Sequence, residues 1–253
     1  MADRPREDDW WLASDGTWYP PNLGPGVEAA RIQERQDSGT AIRPTLTTAL
    51  SIALAVASAV LLVAAYSGLQ YASALQKFTG SLSDQEIESL ASVELVWASW
   101  SAVALFLLVF TGVLVIVWTN TTSRSFDNRG PIGRRWRGGW TIGAWLIPLA
   151  NLVIPKLMFN EIEKIAQVPY RGVPIGEEWR MRQRSQLGDL WWLLWIGGVI
   201  PSQLIQAVIG DPVGDAGRLA VVLNINSLTH ALFAGAGISL AFLVRRIERF
   251  SRA

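Results

Sequence analysis

The side chains best equipped for chemistry lie inside apolar stretches. His230 is the only histidine and falls near the middle of the run Leu219 to Val244. Asn226 precedes it by one helical turn on the same face, and Asn224 is close by. Gln203 and Gln206 occupy the later half of another apolar run, Leu190 to Ile209. Two such helices side by side would gather these five residues into one polar cluster. One chemistry for it is a polar cavity or proton-sensitive site, since ionisable groups inside membranes are often functional. The simpler one is interhelical hydrogen bonding, worth about 0.6 kcal/mol per contact, because neutral histidine is far cheaper to bury than a charge.

Other chemistries are excluded or unsupported. There is no cysteine, so disulfides, zinc–thiolate sites, iron–sulfur clusters and cysteine nucleophiles are ruled out. A single histidine rules out a multi-histidine metal site. The serine of Gly235 to Ser239 comes last in its motif and has no base placed for it, so this is not a nucleophile elbow. No phosphate-binding or dinucleotide fingerprint occurs. A non-enzyme without cofactor or metal is expected.

The stretch "GWTIGAWLIPLANLVIPK", Gly139 to Lys156, raises a different question. It is apolar enough to enter a membrane, yet it contains Pro148, Asn151 and Pro155. Each proline removes a helix hydrogen bond, freeing the carbonyls of Ala144 and Asn151. Freed carbonyls are costly in lipid unless something satisfies them, and Asn151 is placed to bond the local backbone. The segment reads either as an interfacial amphipathic helix anchored by Trp136, Trp140 and Trp145, or as a re-entrant element.

The elements that must position these groups are long. Half of the residues are apolar, and there are thirteen tryptophans, a residue that favours membrane interfaces. Five segments could enter hydrocarbon: Thr45 to Leu69, Val93 to Trp118, the Pro-Asn-Pro stretch, Leu190 to Ile209, and Leu219 to Val244. A spanning helix needs about 20 mostly apolar residues. No apolar run opens the chain, so the N-terminus is not expected to be a cleaved signal peptide.

Basic residues choose between topologies. They cluster in 1–43, 119–139, 156–186 and the tail after Val244, whereas 70–92 holds only Lys77 and 210–218 only Arg218. If all five segments crossed, the two sides would carry equal numbers of basic residues. If 139–156 does not cross, 20 of the 22 Lys and Arg fall on one side, as cytoplasmic loops require. The expected fold class is therefore an all-α polytopic membrane bundle. It has four spans (about 45–69, 93–118, 190–209 and 219–244) in a domain 44–253, with 139–156 not crossing and both termini cytoplasmic at the plasma membrane.

The connections carry local signals. Ser83 to Glu86 is a capping box that starts the second helix near Asp84, well outside the membrane. After Pro155, Met158, Ile162 and Ile165 share one face of a short helix expected to lie on the inner surface. Glu94 and Asp189 sit at helix ends, where solvation is expected. Small residues at every fourth position (Ala49, Ala53 and Ala57; Ser227, Ala231, Gly235 and Ser239) mark packing faces for a tight bundle or a homo-oligomer.

The leader "DDWWLASDGTWYPPN" reads as an aromatic hairpin over 1–21, turning at Asp15-Gly16. That register pairs Ala13 with Trp18 and Leu12 with Tyr19. Trp10, Trp11, Trp18 and Tyr19 then become candidate contacts to a peptide or a membrane, the simpler reading being a weakly ordered patch, since a lone hairpin is marginal in water. Residues 22–43 form a linker with a short helix around Val27 to Gln36.

"VFTGVLVIVWTNTTSRSFDNRG", "WRGGWTIGAWLIPLANLVIPKLMFNEIEKIA" and "LGDLWWLLWIGG" together resemble the bacterial, frequently actinobacterial, membrane family called domain of unknown function 4328. The resemblance runs from about Thr45 to Arg249. Its hallmark maps onto Trp140, Gly143, Trp145, Pro148, Asn151 and Pro155, with the Trp pair Trp191 and Trp192 opening the next helix. The chain departs from the pattern at "GRRWRGG", Gly133 to Gly139. The resemblance implies a membrane protein and no particular activity.

The function expected is a non-enzymatic anchoring or interaction protein. Its basic cytoplasmic face would meet the bilayer and an anionic lipid or a cytoplasmic protein partner. A net charge of +1 gives no pull toward nucleic acid. The alternative is a small transporter or channel using the Pro148-Asn151-Pro155 segment and the His230 cluster.

Overall fold

Backbone polar groups taken out of water must bond within their own segment, and long apolar runs meet that need as helices. The computed structural model describes residues 10–12, 18–19, 42–77, 83–170, 174–208 and 215–252, with 11–12, 18–19 and 204–208 as backbone alone. Contacts divide the chain into two units, Met1–Ala41 and Ile42–Ala253.

In the first unit, β1 (Trp11–Leu12) pairs antiparallel with β2 (Trp18–Tyr19), Trp11 opposite Tyr19 and Leu12 opposite Trp18. The hairpin is present, but its register differs by one residue from the one expected. The observed pairing leaves an odd number of residues between Leu12 and Trp18, which a two-residue turn cannot supply. A one-residue slip also reverses which residues share a face, so Trp11 is paired with Tyr19 rather than set beside Trp18. The Asp15-Gly16 turn and the helix expected around Val27 to Gln36 lie outside the described residues.

The second unit is helical: α1 (Pro44–Lys77), α2 (Asp84–Asp127), α3 (Trp140–Leu146), α4 (Pro148–Asn151), α5 (Ile154–Ala166), α6 (Gln186–Val208) and α7 (Ala216–Arg252), with a 3₁₀ turn at Glu178–Met181. α2 begins where the capping box puts it. The Ser83 N–H and hydroxyl both donate to Glu86 Oε2, at 2.8 and 2.7 Å. Ile42, assigned to the linker, is buried in the core.

Four helices stand in a row. α1 and α7 share the largest interface, α2 packs on the free side of α1, and α6 packs on α7. The two central helices meet where side chains are smallest. A Cβ on Gly237 would fall 2.5 Å from Ser58 Oγ, and one on Gly68 would collide with Ser227 Oγ. Of the two small-residue lines, Ala57, Ser227 and Ser239 are buried, but Ala49 and Ala231 face outward. The close-approach line therefore runs through Ser58 and Gly68 rather than Ala49 and Ala53.

α1, α2 and α7 are each long and apolar enough to cross a membrane. The apolar stretch of α2 is only 28% buried, against 44% for α1 and α7, as befits an outer helix. Leu105, Phe106, Val109 and Val113 stand exposed along it. An apolar surface of this extent is anomalous in water and natural in hydrocarbon.

The Pro-Asn-Pro stretch is three short helices. Ile147 is extended (φ −90°, ψ 117°), and Pro148 then opens α4 at its first position. Pro155 likewise sits in the opening turn of α5. At these positions the missing N–H would have had no intrahelical partner anyway, so each proline starts a helix instead of kinking one. At 1.5 Å per residue, α3 is about 10 Å long and α5 about 20 Å. Met158, Phe159, Ile162 and Ile165 of α5 are essentially fully buried, turned onto α2, α6 and α7. The sequence had this helix resting on the membrane surface; its apolar face is covered by protein.

The polar segments flanking this stretch are joined to each other. Pro131 forms a parallel bridge with Gly176. Ile132 N–H donates to the Gly176 carbonyl at 2.7 Å, and Ile175 N–H to the Arg129 carbonyl at 2.9 Å. Trp179 Nε1 donates to the Ile132 carbonyl at 3.1 Å. Gly133 permits this join: its φ is +76°, and a Cβ there would strike the Arg180 guanidinium.

Candidate functional site

Phe159 is the hub of the site and is only 1% exposed. Trp118 of α2 stacks on it at 5.8 Å and 10°. Trp191 of α6 approaches at 5.0 Å, and Trp145 of α3 meets it edge-on at 6.5 Å and 87°. Such pairs are worth about 0.5–1.5 kcal/mol each beyond area burial. Trp118 Nε1 donates to Thr47 Oγ1 at 2.9 Å, tying in α1. Trp192 Nε1 donates to the Leu152 carbonyl at 3.0 Å, closing the turn between α4 and α5.

The motif residues thus divide. Trp145 and Trp191 converge on Phe159, Trp192 holds the turn, and Pro155 is buried. Trp140 is largely exposed and meets Trp136 edge-on at 5.7 Å. Gly143 has open space where a side chain would go, and Pro148 is exposed. Phe159 and Trp118 were missed by the sequence reading. Phe159 adjoins Met158 on the face that includes Ile162, and widening that apolar stripe by one residue would have found it.

Trp145 and Asn151 are among the residues lining a cavity of about 220 Å³. Leu108, Gly112 and Ile116 of α2 form one wall, and Trp191 and Trp195 of α6 the other. α1 and α7 form the back, through Leu54 and Leu240. Two buried polar atoms of these residues have no hydrogen-bond partner among the described residues: Trp145 Nε1, a donor, and Asn151 Oδ1, an acceptor. The Thr111 hydroxyl, also in the lining, is satisfied by the Leu107 carbonyl at 2.8 Å. Asn151 was expected to cap its own backbone. Its N–H does bond the Ile147 carbonyl at 2.8 Å, but its side-chain oxygen does not.

Beside the aromatic hub lies a charged layer. The Arg134 side chain is fully enclosed. It donates to Asp127 at 2.8 Å, to the Ser123 carbonyl at 3.1 Å and to Ser123 Oγ at 2.9 Å, with Glu161 at 3.8 Å. Burial lowers its pKa, and Asp127 and Glu161 oppose that shift. Arg134 belongs to the "GRRWRGG" run, Gly133 to Gly139, which here supplies an internal tie. Glu163 is 1% exposed. It accepts from Ser185 N at 3.1 Å and from Arg246 Nε of α7 at 3.2 Å.

Lys156 Nζ lies 2.7 Å from Asp189 Oδ1, with Arg184 at 3.6 Å. Asp189 had been read as simply solvated; it is the counter-charge of a mostly buried lysine. Its pKa is lowered, chiefly by the hydrogen bond from Lys156. The Lys156 pKa is also lowered, because burial outweighs the pull of Asp189. The pair therefore limits a burial cost borne by the lysine.

The polar cluster is less cohesive. Gln203 and Asn224 are exposed, Asn226 and His230 half-buried, and the Gln206 side chain lies outside the description. His230 Nδ1 is buried without a partner among the described residues, and His230 does not line the cavity beside Trp145. For Trp11, Trp18 and Tyr19 the description extends to strand pairing alone.

Bilayer-length apolar helices gathered round a proline-opened segment define an integral membrane helix bundle. The chain belongs to the family described as Domain of unknown function (DUF4328), whose model matches residues 80–249. The match starts just before α2 and leaves out α1, whereas the sequence reading had begun the resemblance near Thr45. No curated protein and no solved structure matches the chain.

Proposed function

We propose that this is a non-enzymatic anchoring protein of the bacterial plasma membrane. α1, α2, α6 and α7 cross; both ends and the α3–α5 segment lie on the cytoplasmic side. There a basic face takes anionic lipid headgroups. One observation carries the reading: the segments on either side of Gly139 to Lys156 are hydrogen-bonded to each other through Ile132 and Gly176. A crossing between them would separate them by about 30 Å of hydrocarbon. The exposed Leu146, Ile147 and Leu149 suit a segment resting in the interface.

Arg129, Arg134, Lys156 and Arg246 are engaged within the protein. Arg124, Arg137, Arg182, Arg245 and Arg249 are exposed and make no ion pair among the described residues. Arg245 also ends an apolar groove between α1 and α7, lined by Ala55, Ile238 and Phe242, which fits an acyl chain beneath an anionic headgroup. Each basic residue near an anionic surface contributes about 1 kcal/mol. The test is lipid retention by the purified full chain from a bilayer of mixed anionic and zwitterionic lipid. Wild type should retain the anionic lipid about tenfold in excess, and Arg245→Glu with Arg249→Glu should lose most of that preference. Equal retention of both lipids by wild type would end the proposal.

The second reading, a small transporter or channel, draws on Asn151 and Trp145 in the lining of the cavity. Flux or growth unchanged in Asn151→Ala and His230→Ala would argue against it.

A further inference from the structure

We infer that the cavity beside Trp145 holds one acyl chain of a membrane phospholipid, seated between helices that do not pack on each other. All four long helices contribute to the lining, through Leu54 of α1, Leu108 and Ile116 of α2, Trp195 of α6 and Leu240 of α7. α2 and α6 share no substantial interface among the described residues. The row therefore bends into a trough with these two helices as its rims. The lining runs along α2 from Leu108 to Ile116, a rise of about 12 Å. On α7 it runs from Phe233 to Leu240, a rise of about 10 Å. One leaflet offers about 15 Å of hydrocarbon. The space is thus elongated along the bundle over most of one leaflet, as a chain lying parallel to the helices requires.

The chemistry of the lining selects hydrocarbon. It holds no charged side chain among the described residues. The Thr111 hydroxyl already donates to the Leu107 carbonyl at 2.8 Å. Trp145 Nε1 and Asn151 Oδ1 are themselves buried and do not open onto the space. At about 220 Å³ it exceeds the roughly 150 Å³ apolar void that stays dry and takes up benzene in an engineered protein. The surface leading to it is apolar too, since Val109 and Val113, next in sequence to Leu108 and Gly112, stand exposed on α2. A free fatty acid would bring a carboxylate that no cation of the lining could meet. A phospholipid needs none, because its headgroup stays at the bilayer surface. The inference rests on the membrane class of the protein, and not on the number of spans or the basic face. The cavity shares no lining residue with the groove at Arg245.

The test compares two faces of one helix. The purified full chain is reconstituted in vesicles of zwitterionic phospholipid, a fraction of it carrying a diazirine midway along one acyl chain. The sample is diluted into detergent and irradiated, and the adducts are mapped by mass spectrometry. Leu108, Gly112 and Ile116 report the cavity. Phe106, Val109 and Val113 report the exposed surface of the same helix. A chain held in the trough should survive dilution, so adducts at the first set should exceed those at the second about tenfold. The plug is Gly112→Leu, because a Cβ at Gly112 meets nothing within 4 Å. It should lose the cavity adducts and keep those of the exposed surface before dilution.

Equal loss of adducts from the two faces on dilution would overturn the inference. So would the absence of cavity adducts in wild type, or unchanged cavity adducts in a Gly112→Leu protein that unfolds cooperatively. If that variant does not fold, the comparison of faces in wild type still decides. A diazirine fatty acid of the same chain length, used as its anion, should label the cavity less than the phospholipid does; the reverse order would refute the phospholipid assignment. The vesicles contain no anionic phospholipid, so a failure of the anionic-lipid reading at Arg245 leaves this result untouched.

Discussion

Arg134 has its guanidinium enclosed by Ser123, Asp127 and Glu161, and its planar fork reaches two oxygens of Ser123 at once. Lysine cannot reproduce that fork. Arg134→Lys should cost about 1–2 kcal/mol, and Arg134→Met, which leaves Asp127 and Glu161 without their cation, about 3 kcal/mol. Thermal unfolding of the purified protein reads both. Asp189→Asn should cost about 1 kcal/mol at neutral pH. Asp189 is 39% exposed, and solvent screening keeps that cost well below the loss of a fully buried pair. A lowered carboxylate pKa contributes stability above the unfolded value, near 4, and loses it as pH falls through the folded value. The gap between wild type and Asp189→Asn should therefore close below about pH 4. None of these partners was legible in the sequence. Glu163 and Arg246 are 83 residues apart, and Trp118 and Thr47 are 71 apart. Nothing local distinguishes a buried charge from a solvated one until tertiary packing brings its partner.

At the scale of elements, signals that act within a turn were read correctly. Ser83 and Glu86 started α2 as expected, whereas Pro148 and Pro155 marked interruptions in the expected places but open α4 and α5 instead of kinking a helix. Signals that require a partner surface were read less well. An alanine-rich helix offers small residues on several faces, so Ala49 and Ala53 looked as suitable as Ser58 and Gly68. The hairpin register failed because a one-residue difference in loop length reverses every pairing. Gly198 supplies a test of packing between α6 and α7. A Cβ there would sit 2.6 Å from the Phe233 ring, and a ring cannot rotate clear as a serine hydroxyl can. Gly198→Ala should destabilise by about 1–3 kcal/mol through overpacking. Gly237→Ala, facing the rotatable Ser58 hydroxyl, should cost less. Parallel unfolding measurements on the two variants would check the order.

At the scale of the whole molecule, the topology can be labelled directly because the chain has no cysteine. Single cysteines at Asn128, Gln183 and Ala216 occupy exposed positions. In intact cells a membrane-impermeant maleimide should reach only the one replacing Ala216, and the other two should react after lysis. Labelling at Gln183 from outside would mean that 139–156 crosses, and the charge argument would fail with it. α2 bears on the same picture. Its 44 residues make a rod of about 66 Å, roughly twice the hydrocarbon thickness, so a large part of it must stand in water.

The contact between Glu163 and Arg246 also sets an order of events during synthesis. α5 leaves the ribosome well before α7, and 83 residues separate the two partners. At roughly 5–20 residues per second, the carboxylate waits about 4–17 seconds for its arginine. Until then it must stay hydrated, and α5 cannot seat fully against its neighbours. The charged layer is therefore finished last, once the final helix is in place, and a chain stalled before α7 would display the α5 apolar face to whatever quality-control machinery is at hand.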